Sequence, residues 1–147
     1  MTAERSPAPS ALEPGALLGG RYRLEERIGS GGVAVVWLAV DEVLDRHVAV
    51  KLLRPRSADD PEIAQRFRRE ATAAAGVTHA HTVTVYDVGE HDGEPFLVME
   101  LIEGPALADL IDATDGVPPA LVVEIGRQVA SALGAGHARG LVHSDVT

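Results

Sequence analysis

Two neighbouring segments decide the fold of this 147-residue chain: IGSGGVAVVWLAV at residues 28–40 and HVAVKLL at residues 47–53. Each contains a run of β-branched and apolar residues, which is typical of a strand, and a polar stretch separates them. The glycines Gly29, Gly31 and Gly32 directly precede the first run. They therefore lie at the tip of a predicted hairpin, whereas a Rossmann dinucleotide site needs a helix directly after its glycines.

Further elements follow outward from this hairpin. A half-buried strand is predicted over residues 21–28, before the glycines. A helix is predicted with Asp60 as its N-cap and Pro61 at its first position, although Asp59 and Glu62 offer an alternative cap. The remaining predicted elements are strands at 82–88 and 94–101, joined by Asp92 and Gly93, and helices at 106–113 and about 119–139. This order predicts an α+β fold with a mostly antiparallel sheet.

Composition excludes several classes of protein. The chain has no cysteine, which removes disulfides, thiolate metal sites and cysteine nucleophiles, and which is consistent with a cytoplasmic location. Its 13 basic and 22 acidic residues give a net charge of −9, which argues against nucleic acid as a partner. The longest apolar run, at residues 33–40, is far shorter than a membrane span, so no membrane segment is predicted.

Lys51 is a candidate functional residue because it lies in the middle of a predicted strand. Strand alternation places Ala49 and Lys51 on one face and Val48, Val50 and Leu52 on the other. An embedded lysine needs an anionic partner, and the small Ala49 beside it leaves room for a flat ring. The alternative is an exposed lysine on a solvent-facing surface.

Glu70 is a second candidate, on the helix that begins at Pro61. Its spacing from Ile63 and Phe67 places it on the predicted apolar stripe of that helix. A carboxylate that faces a sheet is costly unless it is paired, so Lys51 is the expected partner. The alternative is a local pair of Glu70 with Arg66, four residues earlier.

Six motifs together resemble bacterial eukaryotic-like serine/threonine protein kinases. They are IGSGGVAVVW at 28–37, VAVK at 48–51, RFRREA at 66–71, VTVYDVG at 83–89, LVMELIEG at 97–104 and GLVHSDV at 140–146. The resemblance implies a small lobe of a five-stranded antiparallel sheet and one helix, followed by two helices of an incomplete large lobe. Its implied divisions are the small lobe at 18–100, a hinge at 101–104 and a partial large lobe at 105–147. Residues 1–17, which include Pro7, Pro9 and Pro14, are predicted to be a flexible tail because of their composition.

The resemblance also implies an ATP site. The implied nucleotide-binding residues are Ile28, Gly29, Ser30, Gly31, Gly32, Ala34, Val36, Ala49, Lys51, Met99, Glu100 and Ile102. In the family, the glycine hairpin covers the phosphates, while Val36 and Ala49 contact adenine. Met99 corresponds to the gatekeeper, and the backbones of Glu100 and Ile102 correspond to the hinge that hydrogen-bonds adenine.

Three implied catalytic residues complete this site. Lys51 would hold the α- and β-phosphates and pair with Glu70, and Asp145 would accept the proton of the substrate hydroxyl. The chain departs from the family pattern at Ala34, where a third glycine is usual. It departs again at Ser144, where the family has arginine, and at Thr147, where the family has lysine.

Mg²⁺ is expected for the family, but its ligands are not in this chain. The metal-binding Asn would follow Asp145 by five positions, at 150, and the second ligand would come later. His79 and His81 lie in an irregular connection and are not interpreted as a metal pair. No metal-binding residue is predicted, and weak or absent turnover is expected.

The sequence therefore favours a serine/threonine protein kinase that binds ATP and phosphorylates a protein substrate, whose identity the sequence does not indicate. One alternative is a non-catalytic, pseudokinase-like interaction module. The long helix at about 119–139 carries an apolar stripe, including Leu121, Ile125 and Val129, that could mediate self-association. The other alternative is an incomplete gene product.

Overall fold

A computed structural model of the chain describes residues 12–113 and 116–143, without the side chains of residues 55 and 56. The described strands are β1 (Leu17–Leu18), β2 (Tyr22–Ser30), β3 (Ala34–Asp41), β4 (Arg46–Leu53), β5 (Val85–His91) and β6 (Glu94–Met99). The described helices are α1 (Pro55–Ala58), α2 (Pro61–Ala75), α3 (Leu107–Asp112) and α4 (Pro119–His137). The predicted α+β class and the order of its main elements are confirmed.

The described strands form one antiparallel sheet in the order β1-β2-β3-β4-β6-β5. Five of these strands were predicted. The sixth, β1, was missed because a two-residue strand is too short to show alternation. It pairs with the start of β2, with Leu18 opposite Tyr22.

Part of the predicted tail at 1–17 packs against the sheet. Leu12 and Ala16 pack against the core, Gly15 donates its amide to the Leu24 carbonyl at 2.7 Å, and Leu24 donates back to Ala16. The ordered lobe therefore includes residues 12–17, which the proline-rich composition of this segment concealed. Residues 1–11 of the predicted tail lie outside the described residues.

The β5–β6 hairpin has the predicted turn. Asp92 and Gly93 both have positive φ angles, 51° and 84°, as a tight two-residue hairpin turn requires. Within this hairpin Gly89 lies opposite the buried Phe96. A Cβ on Gly89 would overlap the phenyl ring, with Cε1 only 2.8 Å away, so the ring occupies the space that glycine leaves.

The two faces of the sheet carry separate apolar clusters. One face holds Leu18, Tyr22, Leu24, Trp37, Ala39, Val48, Val50, Leu52, Phe96 and Val98. The other packs against α2 through Leu53, Ala64, Phe67, Ala71 and Leu97. Asp60 caps α2 as predicted, because its carboxylate accepts the Glu62 amide at 2.9 Å. This packing places α2 on the face of the sheet that carries Lys51, chiefly over β5 and β6.

The predicted helices α3 and α4 are also present, but neither contains a buried residue. Side chains on α4 such as Leu121, Val122 and Val123 are about half exposed or more, at 47%, 53% and 71%. None of the helices in the described part of the chain combines the length and apolar composition that crossing a membrane requires.

Candidate functional site

The sheet brings four predicted site residues to one face. Lys51 of β4 pairs with Val36 of β3, and Ala49 pairs with Met99 of β6. Cross-strand partners in an antiparallel sheet point to the same face, and so do alternate residues along β4. Val36, Ala49, Lys51 and Met99 therefore share the face that α2 partly covers, and we call this group the Lys51 face.

Lys51 is a partly exposed cation that forms no ion pair with the described carboxylates. It is the only lysine in the chain, and it is partly exposed at the edge of the apolar cluster under α2. Within residues 12–113 and 116–143, no carboxylate forms an ion pair with it. None of the described carboxylates therefore competes with an anion that approaches Lys51 from the Lys51 face.

The prediction that Glu70 faces the sheet is wrong. The Glu70 side chain is 63% exposed, and it accepts a 2.8 Å hydrogen bond from Nε of Arg66. The buried face of α2 follows Ala64, Phe67 and Ala71, and Glu70 is turned about 100° from Ala71 around the helix. The local alternative is therefore the observed one, and Lys51 and Glu70 do not pair in this structure.

The glycine segment forms the predicted hairpin tip. Ser30 pairs with Val35, and the amide of Gly31 donates to the Ala34 carbonyl at 2.9 Å. A Cβ on Gly32 would meet no atom within 4 Å, so the tip is open to solvent. Backbone amides at such a tip can approach phosphate oxygens without obstruction by side chains.

An open groove of about 380 Å³ lies beside this tip. It is lined by Arg27, Ile28, Gly29, Ser30, Val35 and Arg54. Val35 pairs with Leu52, whose side chain belongs to the cluster on the other face of the sheet. The Val35 side of the groove therefore lies behind the hairpin, on the face opposite Lys51, whereas Gly29 pairs with Val36 of the Lys51 face.

The predicted hinge begins where β6 ends. The Glu100 amide donates to the Thr84 carbonyl at 2.8 Å, and its carboxylate accepts the Thr84 amide at 3.2 Å. Because the Glu100 amide already bonds to Thr84, the Glu100 carbonyl is the backbone group of this residue that could accept a hydrogen bond from adenine. Ile102 follows with its side chain 59% exposed.

A polar network that the sequence reasoning missed holds the sheet at the end distant from the glycine tip. Asp41 is fully buried and accepts two 2.8 Å hydrogen bonds from Arg21, as well as the amides of Val43 and Leu44. The bonds from Arg21 outweigh the effect of burial and lower the pKa of Asp41 to about 2. Tyr22 donates to Asp87 at 2.6 Å nearby.

The predicted catalytic Asp145 lies outside the described residues, as do Ser144 and Thr147. Among the residues that are described, no group of three His, Asp or Glu side chains lies close enough to hold a metal ion. Nε2 of His79 is 3.0 Å from the Ser131 hydroxyl, and Nδ1 of His79 accepts the amide of His81.

Comparison with known proteins gives one consistent family. Residues 22–147 match the protein kinase domain. The serine/threonine-protein kinase PrkC of Bacillus subtilis is 42% identical over 132 residues, which are 90% of this chain and 20% of PrkC. The serine/threonine-protein kinase PknL of Mycobacterium tuberculosis is 45% identical over 131 residues, which are 89% of this chain and 33% of PknL. The chain thus spans a fifth to a third of the length of these curated relatives.

A solved structure gives the same fold. The crystal structure of the M. tuberculosis PknI kinase domain superimposes with a TM-score of 0.79 at 34% identity, covering 93% of this chain and 55% of the solved kinase-domain chain. The glycine hairpin, the lysine strand and the helix that follows thus belong to a shared architecture. The chain belongs to the protein kinase family and corresponds to the N-terminal part of the catalytic domain of bacterial serine/threonine-protein kinases.

Proposed function

We propose that this chain binds ATP on the Lys51 face, as the nucleotide-binding part of a kinase that phosphorylates serine or threonine in proteins. The observation that carries the proposal is the environment of Lys51. The only lysine of the chain lies beside apolar side chains, below an open glycine tip, and without an acidic partner among the described residues. A triphosphate would supply the anion that this amine lacks.

The proposed site divides into two parts that match the two ends of ATP. Val36, Ala49 and Met99 offer an apolar surface for adenine, and Glu100 follows Met99 directly at the end of β6. Lys51 and the amides of the glycine hairpin offer positive charge and hydrogen-bond donors for the phosphates. These residues fit a nucleoside triphosphate in chemistry and in order along the face.

We propose that phosphoryl transfer by this chain is weak. In protein kinases, the pair formed by the strand lysine and the helix glutamate must be in place for transfer. Here Glu70 binds Arg66, which leaves Lys51 without that partner. Asp145 would accept the proton of the substrate hydroxyl, and Mg²⁺ would neutralise phosphate charge, but the described residues provide no cluster that fits Mg²⁺.

Titration calorimetry with ATP and with adenosine tests the proposed site. We expect saturable binding of both ligands at one site, with ATP bound more tightly than adenosine because Lys51 and the glycine amides contact only the phosphates. The absence of saturable ATP binding by a chain that is folded by circular dichroism would refute the proposed site. Strong ATP-dependent labelling of a protein substrate, abolished by Asp145→Asn, would refute the proposed weak turnover.

We also propose that the exposed face of α4 mediates self-association of this chain in solution. Leu121, Val122 and Val129 are exposed by 47%, 53% and 42%. Val122 and Val129 are seven residues apart, about two helical turns, so they lie on one side of α4, and contiguous exposed apolar surface is typical of interaction sites. Sedimentation velocity should show concentration-dependent dimers that are lost when Val122→Glu and Val129→Glu are combined. A monomer at every concentration would contradict this second function.

Because the kinase reaction consumes ATP, we propose that the protein is located in the cytoplasm.

A further inference from the structure

Arg54 follows β4 directly and makes two hydrogen bonds to the tip of the glycine hairpin. Its backbone amide donates to the Val33 carbonyl at 2.8 Å. Its side chain Nε donates to the Gly31 carbonyl at 2.9 Å. These two acceptors flank Gly32, so a single residue holds both sides of the tip.

The Arg54 side chain approaches the hairpin from the face of the sheet opposite the Lys51 face. Strand alternation places it with Leu52, on the face opposite Lys51. It lines the open groove together with Val35, which pairs with Leu52. Its guanidinium therefore approaches the tip from the side away from the proposed phosphate position.

The bond to Gly31 fixes the orientation of one peptide group. In a planar trans peptide, the carbonyl of Gly31 and the amide N–H of Gly32 point in opposite directions. Because Arg54 holds the Gly31 carbonyl toward the rear groove, the Gly32 N–H points away from that groove. A carbonyl turned toward the Lys51 face would instead repel phosphate oxygens.

We propose that Arg54 is a positioning residue that orders the glycine hairpin for binding the phosphates of a nucleoside triphosphate. This inference rests on the proposed ATP site. A tip that contains Gly31 and Gly32 loses more conformational entropy on ordering than one built from other residues. Holding it in one conformation before binding reduces the part of that loss that occurs on binding. Arg54 thus favours triphosphate binding without contacting the ligand.

The test compares ATP with adenosine in Arg54→Ala, because only ATP has phosphates to contact the hairpin. We expect Arg54→Ala to weaken ATP binding by roughly threefold to tenfold, the effect of losing one hydrogen bond. Adenosine affinity should stay within about twofold of wild type, since adenine contacts the apolar part of the Lys51 face. Calorimetric titration of the 147-residue chain measures both affinities.

Two variants separate positioning from simple charge attraction. Arg27→Ala removes a positive charge from the same groove, but Arg27 stacks on Trp37, at 5.0 Å from the ring centre, and does not bond to the tip. It should leave the ratio of ATP to adenosine affinity unchanged. Arg54→Lys keeps the charge but loses Nε, so its ATP affinity should fall with that of Arg54→Ala.

Heteronuclear NOE measurements on the ligand-free chain provide a readout that does not depend on nucleotide. Arg54→Ala should lower the NOE at Gly32, and Arg27→Ala should not. An unchanged NOE, equal loss of ATP and adenosine affinity, or an equal effect of Arg27→Ala would each overturn the proposed role of Arg54. If the wild-type chain binds no ATP, the proposed function fails, and the NOE at Gly32 still decides whether Arg54 orders the hairpin.

Discussion

Replacing Lys51 with methionine is expected to weaken ATP binding about tenfold to a hundredfold while changing adenosine affinity little. Methionine keeps much of the length and the apolar stem of lysine but removes the only ammonium group on the Lys51 face. A charge-assisted hydrogen bond contributes about 1.5–3 kcal/mol, which corresponds to this loss of affinity. Calorimetric titration of wild type and Lys51→Met with each ligand measures the effect.

Arg23→Met is the matched control for this substitution. Arg23 is a cation on β2 whose side chain is 43% exposed and pairs with Glu42 at 2.8 Å, at the end of the sheet distant from the glycine tip. Its loss changes net charge by the same amount as Lys51→Met and should leave ATP affinity within about twofold. Unchanged ATP affinity in Lys51→Met would show that the phosphate site is assigned to the wrong residue.

Replacing Asp41 with asparagine is expected to lower the free energy of unfolding by about 2–4 kcal/mol. The buried carboxylate accepts four hydrogen bonds, two of them from the Arg21 guanidinium, and connects the start of β2 to the end of β3. Asparagine removes the negative charge and leaves Arg21 facing a neutral group with fewer acceptor sites. Urea unfolding at neutral pH measures the difference.

Glu42→Gln is the control for Asp41→Asn, because Glu42 is the adjacent carboxylate but is 45% exposed. An exposed pair contributes about 1 kcal/mol or less, so this variant should unfold close to wild type. If both substitutions had the same small effect, Asp41 would not be the residue that holds this part of the sheet together.

Lowering the pH should remove the stabilisation that the charged Asp41 carboxylate provides, within a range that the pKa of Asp41 sets. The pKa of Asp41 is about 2 in the folded chain, below the ordinary value of 3.8, because of its hydrogen bonds from Arg21. The charged form is thus favoured by folding, and its stabilisation is complete above the unfolded pKa and is lost as pH falls toward about 2. The difference in unfolding free energy between wild type and Asp41→Asn should therefore shrink between pH 4 and pH 2.

Local chemistry made much of the fold predictable. The N-cap at Asp60 and the turn at Asp92 and Gly93 depend on residues close in sequence, and both were predicted correctly. The shared face of Ala49 and Lys51 followed from strand alternation, which has a period of two. These features need no knowledge of distant contacts.

The orientation of Glu70 was predicted wrongly because the sequence did not fix which side of α2 is buried. The roles of Arg54 and Asp41 were missed because their contacts are distant in sequence. Glu70 was misplaced because a helix position shifted by one residue turns about 100°, and the spacing from Ile63 and Phe67 does not fix the centre of the buried face. Arg54 and Asp41 bond to groups about 20 positions away in the chain. The only signal for Arg54 was its position directly after the strand that runs beside the glycine hairpin.

Labelling with an acyl-phosphate derivative of ATP tests the central claim most directly. This reagent acylates amines close to the bound phosphates, and Lys51 is the only lysine in the chain, so the N-terminal amine is the only competing amine. We expect mass spectrometry to find one acyl group on Lys51, prevented by excess ATP and absent when the chain is unfolded in urea. Labelling of Lys51 that is insensitive to ATP and equal in the folded and unfolded chain would contradict a triphosphate site on the Lys51 face.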